Sequence, residues 1–475
     1  MKKQTGWVML MAAVGLASCG PSQENTQRRE VRLITVAPGH FHAALVQKSM
    51  YPQVDSIVHV YAPEGTDLQA HLALIDQYNT RSTEPTRWNE VVYTGTDFLE
   101  KMLEQRKGNV VVLAGNNRDK IDYITQAVEA GLNVLADKPM AINPAGFSKL
   151  VDAFAKAEQH DVLLYDIMTE RYEINTLLQK ELSQITDFFG GLETGTADNP
   201  AVTKESVHHF FKEVSGKPLV RPAWFYDTQQ QGEGLVDVTT HLVDMVQWES
   251  FPEEIIDYQE DIELVAAKRW PTILSPAQFA RSTGQHKIPA FLAEAVDEEG
   301  NLAVFANGEI NYKLKGVHAR VSVIWNFEAP QGTGDTHYSI MRGQYANLII
   351  RQGAEEEYKP VLYVESTGER SAAAFEAALG QAIEGLGARY KGLAFEPVSA
   401  GRYRINVDPS LVTTHEEHFA EVTEKYLDFL QSGTMPEWEV PNMIAKYYLT
   451  TRALTEAETV SAPRQADEKA DSAGK

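Results

Sequence analysis

The chain of 475 residues has a single cysteine, Cys19, and therefore no internal disulfide. It is also short of basic residues, since 43 lysines and arginines stand against 66 aspartates and glutamates and give a formal net charge of -23. That charge repels polyanions, so we expect no nucleic acid partner. The apolar run from Trp7 to Leu16 is too short to span a bilayer. His415 and His418 are three residues apart with no obvious third ligand, so no metal site is expected.

The first residues have the layout of a secretion signal. Two lysines precede the apolar run, which ends in Leu-Ala-Ser-Cys and resembles a bacterial lipoprotein signal. We therefore predict a signal over residues 1–19, a lipid anchor on Cys19 and a tether over residues 20–30. The predicted location is the cell envelope of a Gram-negative bacterium, in the periplasm or at the outer membrane. Residues 457–475 are rich in alanine and acidic residues, and we predict that they are disordered.

Apolar strand patterns alternate with helical patterns from Val31 onward. The helical pattern over residues 120–130 is closed by Gly131 as a C-cap. This alternation predicts a parallel sheet with helices on both faces, because right-handed crossovers place them there. We therefore predict an α/β protein whose residues 31–165 form an N-terminal Rossmann-like, doubly wound parallel sheet. Its predicted strands are residues 31–36, 56–61, 109–113, 132–135 and 162–165.

The pattern changes after Tyr165. Residues 301–329 alternate between apolar and polar in strand fashion, and Asn307-Gly308 within them is typical of a hairpin turn. Further strands and two amphipathic helices follow. We predict that residues 166–456 form a C-terminal α+β domain built on a mostly antiparallel sheet.

Three side chains could form a proton-transfer site. Asp237 and His241 lie four apart in a segment predicted to be helical, so both would leave the same face one turn apart. Lys138 is held at a predicted strand end by Pro139 and could supply a fixed positive charge. A carboxylate beside an imidazole is a common arrangement for a general base. The alternative is that Asp237 and His241 are ordinary surface or core residues without a catalytic role.

Three ordered motifs carry a family resemblance. They are Leu113-Ala-Gly-Asn-Asn117, Ala130-Gly-Leu-Asn-Val-Leu-Ala-Asp-Lys-Pro139 and the segment from Gly232 to Asp244. Together they resemble the Gfo/Idh/MocA family of sugar and polyol oxidoreductases. Gly39 to Val46 and Val220 to Tyr226 resemble an exported lipoprotein branch of that family, of Bacteroidetes type. The resemblance implies NAD or NADP as cofactor, a carbohydrate substrate and a homo-oligomer.

The same resemblance implies roles for individual residues. His241 would take the proton of a substrate hydroxyl while hydride passes to the nicotinamide, Asp237 would orient His241, and Lys138 would steady the same oxygen. The implied cofactor contacts are Gly39, His40, Phe41, His42, Glu64, Asn116, Asp137 and Lys138. The candidate substrate contacts are Arg171, Tyr172, Trp224 and Tyr226, the last two because flat rings suit the apolar faces of sugars.

The phosphate-binding turn departs from the family's pattern. The family has Gly-x-Gly-x-x-Gly, whereas this chain has Ala37-Pro38-Gly39-His40-Phe41-His42 and keeps only the middle glycine. The change should alter helix packing or push a dinucleotide outward, and it leaves two alternatives open: a glycan-binding lipoprotein without catalysis, and a lyase or epimerase without cofactor. Export separates an enzyme from free nicotinamide cofactor, so we favour redox-neutral chemistry with a tightly held, recycled cofactor over net dehydrogenation.

Overall fold

The computed structural model describes residues 30–214 and 217–461. The predicted signal, the lipid anchor on Cys19 and the tether up to residue 29 lie outside the described residues, as does the chain from residue 462. Among the described helices, none combines the length and the hydropathy that a membrane crossing requires.

Strands and helices alternate through the first domain, as predicted. The strands are β1 (Leu33–Val36), β2 (Ile57–Ala62), β3 (Asn89–Thr94), β4 (Val110–Leu113), β5 (Asn133–Asp137) and β6 (Leu164–Ile167). The helices are α1 (His42–Leu45), α2 (Thr66–Thr80), α3 (Phe98–Gln105), α4 (Lys120–Glu129) and α5 (Pro144–His160). The sheet has the order β3-β2-β1-β4-β5-β6 with all neighbours parallel, which confirms the Rossmann-like, doubly wound prediction.

The strand that the sequence did not predict is β3. All four residues of β1 and of β4 are buried, as expected for strands covered by helices on both faces, and these apolar runs are easy to recognise. In contrast, β3 lies at the edge of the sheet and all six of its residues are exposed or half-buried. Its mixed composition therefore carries little periodic signal.

The second domain is built on a larger, mixed sheet. Its strands, in spatial order, are β16 (Ala394–Ser399), β17 (Arg402–Asn406), β15 (Val361–Ser366), β14 (Ala346–Gln352), β13 (Thr336–Arg342), β7 (Val202–Phe211), β12 (Val317–Glu328), β11 (Leu302–Leu314), β10 (Ile262–Leu274) and β18 (Glu458–Thr459). Neighbours are antiparallel except for β7 with β12 and β10 with β18, so the prediction of a mostly antiparallel sheet is confirmed. A short ribbon pairs β8 (Glu213–Val214) with β9 (Lys217–Pro218).

Helices cover one side of this sheet and extend to the first domain. They are α6 (Ile174–Ser183), α7 (Thr186–Phe189), α8 (Thr228–Gln231), α9 (Thr239–Ser250), α10 (Pro276–Thr283), α11 (Ala372–Leu386), α12 (His415–Ser432) and α13 (Glu439–Glu456). Single 3-10 turns lie at Thr169–Tyr172, Ala223–Tyr226, Ala290–Ala295 and Pro409–Leu411. The predicted disordered tail begins too early, because β18 lies beyond α13 and pairs with β10.

The hairpin predicted at Asn307-Gly308 is wrong. Both residues lie inside β11, and the chain reverses at Lys315-Gly316 instead. A side chain on Gly308 would place its Cβ 2.4 Å from Leu235. The glycine therefore allows Leu235 to pack closely against β11 and does not form a turn. The Asn307 side chain donates to the Trp270 carbonyl oxygen at 3.0 Å, which satisfies it within the sheet.

The hydrophobic core of the first domain includes side chains from the C-terminal part of the chain. Side chains from α12 and α13 pack into the core of the first domain, among them Phe419, Tyr426, Met443 and Tyr447. Ala445 and Leu449 of α13 belong instead to the core of the second domain. One helix therefore serves both cores and fixes the domains to each other.

A buried carboxyl on β3 gives a testable pH effect. Burial raises the pKa of Glu90 to about 7, while Gln47 donates to one of its oxygens at 2.6 Å. Because the folded pKa lies above the unfolded value of 4.5, the contribution of Glu90 to stability is fully present below pH 4.5 and is lost as the pH rises through 7. We expect Glu90→Gln to remove this dependence and to raise the free energy of unfolding at pH 8 by roughly 3 kcal/mol.

Thermal unfolding midpoints between pH 5 and pH 8 test the effect. Glu158→Gln changes an exposed carboxylate on α5 and is the control, with no change in slope expected. A Glu90→Gln midpoint that falls with pH as steeply as that of the wild type would contradict the assignment.

Candidate active site

The carboxyl ends of β1 and β4 meet at the point where the strand order reverses. There the amides of Gly39 and His40 donate to the carbonyl oxygen of Ala114 at 3.1 and 3.2 Å. A Cβ on Gly115 would lie 2.5 Å from the Ala37 carbonyl oxygen, so only glycine lets the two loops touch. Ligands of doubly wound sheets bind in this crevice.

Helix α1, which follows the β1 loop, is only four residues long. A single turn aligns few peptide dipoles, so it attracts a phosphate less than a full helix would. His42 is its first residue and stands where the family pattern has a third glycine, while Phe41 before it is exposed. The changed glycine turn is thus accompanied by a truncated helix.

The imidazole of His42 faces the end of β5. Its Nδ1 lies 2.9 Å from Oδ2 of Asp137, and Nδ1 of His40 lies 3.7 Å from the same oxygen. Burial by itself would raise the pKa of Asp137, but His42 and Lys120 outweigh it and hold that pKa well below the usual range. Asp137 is therefore a buried carboxylate anion between two histidines.

Lys120 is a buried lysine that the sequence analysis did not single out. Its ammonium donates to Asn117 Oδ1 at 2.6 Å and to the Asp137 carbonyl oxygen at 2.8 Å. Burial lowers its pKa to about 8. The contacts fix the strand end that carries Asp137 and Lys138, and the only signal in the sequence was a lysine at the start of a helix.

Lys138 and Asp237 meet across the domain boundary. The Lys138 ammonium donates to Asp237 Oδ1 at 2.7 Å, and Gln231 Nε2 donates to the other carboxylate oxygen at 3.0 Å. Helix α9 begins at Thr239, so Asp237 precedes the helix that carries His241. The predicted shared helical face is therefore wrong, and among the described residues the side chain of Asp237 pairs with Lys138 and Gln231.

His241 presents an unused nitrogen. Its Nδ1 is buried and has no hydrogen-bond partner among the described residues. Burial first, and the nearby Lys138 ammonium second, hold the pKa of His241 well below its usual value. The imidazole is therefore neutral near pH 7 and able to accept a proton from a donor placed against it.

Trp224 reaches from the second domain into the crevice. Its indole Nε1 donates to Oδ2 of Asp67 at 3.0 Å. A Cβ built on Gly39 would lie 3.1 Å from that carboxylate and 3.4 Å from the indole, so both fill the space above the glycine. Asp67, five residues beyond β2, is the acid beside Gly39, whereas the predicted Glu64 is exposed. The sequence signal for Asp67 was only its closeness to the end of β2.

Two further hydrogen bonds join the domains next to Trp224. Asn116 Nδ2 donates to Gln230 Oε1 at 2.6 Å, and Asn117 Nδ2 donates to the Gln231 carbonyl oxygen at 2.7 Å. The predicted cofactor residue Asn116 is thus located at the crevice, where it holds α8 against the β4 loop. The segment from Trp224 to Gln231 closes the second domain over the first.

Two predicted substrate residues are placed elsewhere. Arg171 is buried, and its guanidinium binds both carboxylate oxygens of Asp244, at 2.6 and 2.7 Å, as well as Glu439 at 3.2 Å. Tyr226 is only 1% exposed and packs against Phe210 in an apolar cluster. Neither side chain is free to contact a substrate in this arrangement, because ion pairing and core packing already occupy them. Tyr172 is half-buried and packs against the hydrophobic core of the first domain.

A parallel sheet with a ligand crevice at its switch point, joined to a domain that closes over the crevice, defines a two-domain α/β protein of the nucleotide-binding type. Two family models match it: "Oxidoreductase family, NAD-binding Rossmann fold" over residues 29–164 and "Putative oxidoreductase C terminal domain" over residues 178–458. The chain belongs to the Gfo/Idh/MocA family of oxidoreductases.

Solved structures agree with this assignment. The crystal structure of a putative oxidoreductase from Parabacteroides merdae ATCC 43184 is 54% identical, with a TM-score of 0.89 over 91% of this chain and 98% of that chain. KijD10, a 3-ketoreductase from Actinomadura kijaniata in complex with NADP and TDP-benzene, is 13% identical, with a TM-score of 0.55 over 91% of this chain and 100% of that chain, and shares the fold. No curated protein matches the chain.

Proposed function

We propose that the protein is an NAD(P)-dependent oxidoreductase that acts on a carbohydrate or glycoside. The observation that carries the proposal is the ion pair of Lys138 with Asp237, which fixes an ammonium at the carboxyl end of β5 near the free Nδ1 of His241. A fixed positive charge and a neutral base at the ligand crevice suit the removal of a hydroxyl proton.

Each of the three residues has a distinct part in this proposal. His241 accepts the hydroxyl proton of the substrate. Lys138 stabilises the negative charge that develops on the same oxygen. Asp237 acts as a positioning residue, because it holds the Lys138 ammonium rather than the imidazole of His241. A proton transfer of this kind contributes about 100 to 10,000-fold in rate.

The residues at the crevice fit a dinucleotide in part. Gly39 lies at the switch point, and the Asp67 carboxylate beside it is of the type that binds a ribose diol. Trp224 would have to move off Gly39 on binding. When bound, the nicotinamide would supply the hydride acceptor. Because a carboxylate repels a 2′-phosphate, we propose NAD rather than NADP.

Two observations support a carbohydrate as the substrate. The structurally similar KijD10 is named a 3-ketoreductase, and the Trp224 ring at the crevice offers an apolar face of the kind that packs on sugars. We further propose that the reaction is redox-neutral: the substrate is oxidised and then reduced again within one cycle. This follows from the proposed export of the chain, its anchoring through Cys19 in the cell envelope and its consequent separation from free cofactor. A homo-oligomer is also part of the proposal.

The direct test is to purify the chain without added cofactor, denature it and assay the released molecules for NAD(H) and NADP(H) by mass spectrometry. We expect close to one NAD(H) per chain. Wild-type protein that releases none and binds none in titration would overturn the oxidoreductase proposal. Stoichiometric reduction of added NAD with release of the oxidised sugar would instead overturn its redox-neutral part.

A second candidate is a glycan-binding protein or a cofactor-free lyase or epimerase on the same fold. The observation in its favour is that Asp67 and Trp224 fill the space above Gly39 while α1 has only one turn. Sugar binding that survives replacement of both Lys138 and His241 by alanine would identify the binding protein. Turnover by protein stripped of nucleotide would identify the cofactor-free enzyme.

Asp67 should set the choice between the two nicotinamide cofactors. We expect Asp67→Asn to lower the preference for NAD over NADP by at least about tenfold, because the repulsion of a 2′-phosphate is removed. Trp224→Phe is the matched control, since it removes the indole donor but keeps the carboxylate, and it should retain the preference. Dissociation constants for both cofactors measure the effect, and an unchanged ratio in Asp67→Asn would contradict the role.

A further inference from the structure

We propose that His40, His42 and Asp137 form a binding site for one divalent transition metal ion, with zinc as the best-fitting ion. The inference goes beyond the proposed function and does not depend on it. The two histidines are two residues apart in the turn after β1, and the fold alone brings Asp137, at the end of β5, to them.

The ligand atoms have suitable separations. Nδ1 of His42 lies 2.9 Å and Nδ1 of His40 lies 3.7 Å from the same Asp137 oxygen, and the three ligand atoms lie within 4.8 Å of one another. Around a tetrahedral zinc with bonds of about 2.0–2.1 Å, neighbouring ligand atoms are roughly 3.3 Å apart. The two nitrogen–oxygen distances, 2.9 and 3.7 Å, lie on either side of that value, one shorter and one longer by about 0.4 Å.

A hydrogen-bonded pair alone does not explain the cluster. His42 and Asp137 form one hydrogen bond, but His40 lies too far from the same oxygen for a second one. Nδ1 of His40 accepts only a long hydrogen bond, at 3.4 Å, from the backbone amide of His42. The two imidazole rings are nearly perpendicular, at 87°, with their centroids 4.0 Å apart. Two imidazole nitrogens thus lie close to one carboxylate oxygen, a set of three atoms that one bound ion would satisfy together.

The surroundings hold the ligands in place. The His42 ring packs against Phe419, with centroids 4.5 Å apart, and His415 lies behind it at 5.5 Å. The carbonyl of Asp137 is fixed by the buried Lys120 ammonium. A nearby positive charge, Lys138, is offset by its ion pair with Asp237. Supporting contacts of this kind orient metal ligands in proteins.

The type and number of ligands suggest what the ion would do. Two imidazoles and one carboxylate suit zinc, and three protein ligands are the number found in catalytic zinc sites, which keep a fourth position for water or substrate. Asp137 precedes Lys138 and is close enough to act electrostatically on His241, so the proposed metal site adjoins the candidate active site. We therefore infer a site for an exchangeable oxygen ligand rather than a closed structural site.

The test is a titration of the metal-free, full-length protein, without a histidine tag, using Zn²⁺ alone against a chromophoric competitor. We expect one Zn²⁺ per chain and a rise in the thermal unfolding midpoint on binding. His42→Ala and Asp137→Asn should weaken binding by at least about 100-fold. His40→Gln, at a position with 27% of its side chain exposed, is the variant least able to disturb folding and should weaken binding as well.

The control is His286→Ala, which removes an exposed histidine and should bind Zn²⁺ as the wild type does. The absence of a saturable site, or equal Zn²⁺ affinity in the wild type and in a folded His40→Gln variant, would overturn the proposal. Because Zn²⁺ is titrated without nucleotide, this result is separable from the NAD(H) assay. If the protein binds Zn²⁺ but neither releases nor binds a nicotinamide nucleotide, the metal site is supported and the proposed oxidoreductase activity is overturned.

Discussion

Replacing Lys138 by methionine is expected to lower kcat by roughly 1,000-fold on the glycoside that the wild type turns over fastest, because the fixed ammonium at the end of β5 is lost. Methionine has a similar length but carries no charge and donates no hydrogen bond. The loss should fall on kcat rather than on retention of the cofactor, since in the proposed mechanism Lys138 acts on the reacting oxygen. Steady-state kinetics and the NAD(H) assay measure the two separately.

The matched control is Lys149→Met, which removes an exposed lysine from α5 and should leave kcat unchanged. Lys138→Met also deprives Asp237 of its ion pair, so the thermal unfolding midpoint of both variants is needed to show that they are folded. A folded Lys138→Met protein with the kcat of the wild type would exclude Lys138 from the chemistry.

Replacing Lys204 by methionine should destabilise the fold by about 3–5 kcal/mol, because an unpaired carboxylate would be left in the core. Lys204 on β7 and Glu249 on α9 are both fully buried, and the ammonium donates to both oxygens of Glu249 at 2.8 Å. The same ammonium donates to Ser339 at 2.9 Å. The pair joins the large sheet to the helix that carries His241.

The double variant Lys204→Met/Glu249→Leu provides the comparison. Replacing a buried ion pair with apolar side chains of similar volume is often neutral or stabilising, so we expect most of the lost stability to return. Thermal unfolding of the wild type, the single variant and the double variant measures the coupling. A single variant as stable as the wild type, or a double variant less stable than the single one, would show that burial of an unpaired charge is not the cause.

The sequence predicted the parts of the fold that have regular, buried patterns. The fully buried, mostly apolar runs of β1 and β4 are typical of central strands in a chain that alternates strands and helices. The exposed edge strand β3 has no such pattern, and Asn307-Gly308 imitates a turn although its glycine makes room for Leu235. Local patterns of this kind do not reveal a close approach between distant segments.

The sequence predicted which residues form the candidate site better than it predicted which of them contact each other. Lys138, Asp237 and His241 were singled out by sequence motif, yet the partner of Asp237 is a lysine 99 residues away rather than the imidazole four residues on. Which of two polar groups pairs with Asp237 depends on where α9 begins, and sequence patterns leave such a boundary uncertain by about two to four residues. Asp67 went unnoticed because its neighbour Gly39 is distant in sequence.

The packing of α12 and α13 against the first domain determines when that domain can finish folding. During synthesis the parallel sheet is complete once Ile167 has emerged, but the part of its core that α12 and α13 cover stays exposed until residues 419–447 arrive. Contacts across so long a stretch of chain slow folding and leave apolar surface exposed to aggregation in the meantime. We expect a fragment that ends after β6, at residue 168, to be insoluble by itself and to recover solubility when the segment from residue 414 to 457 is supplied in the same cell.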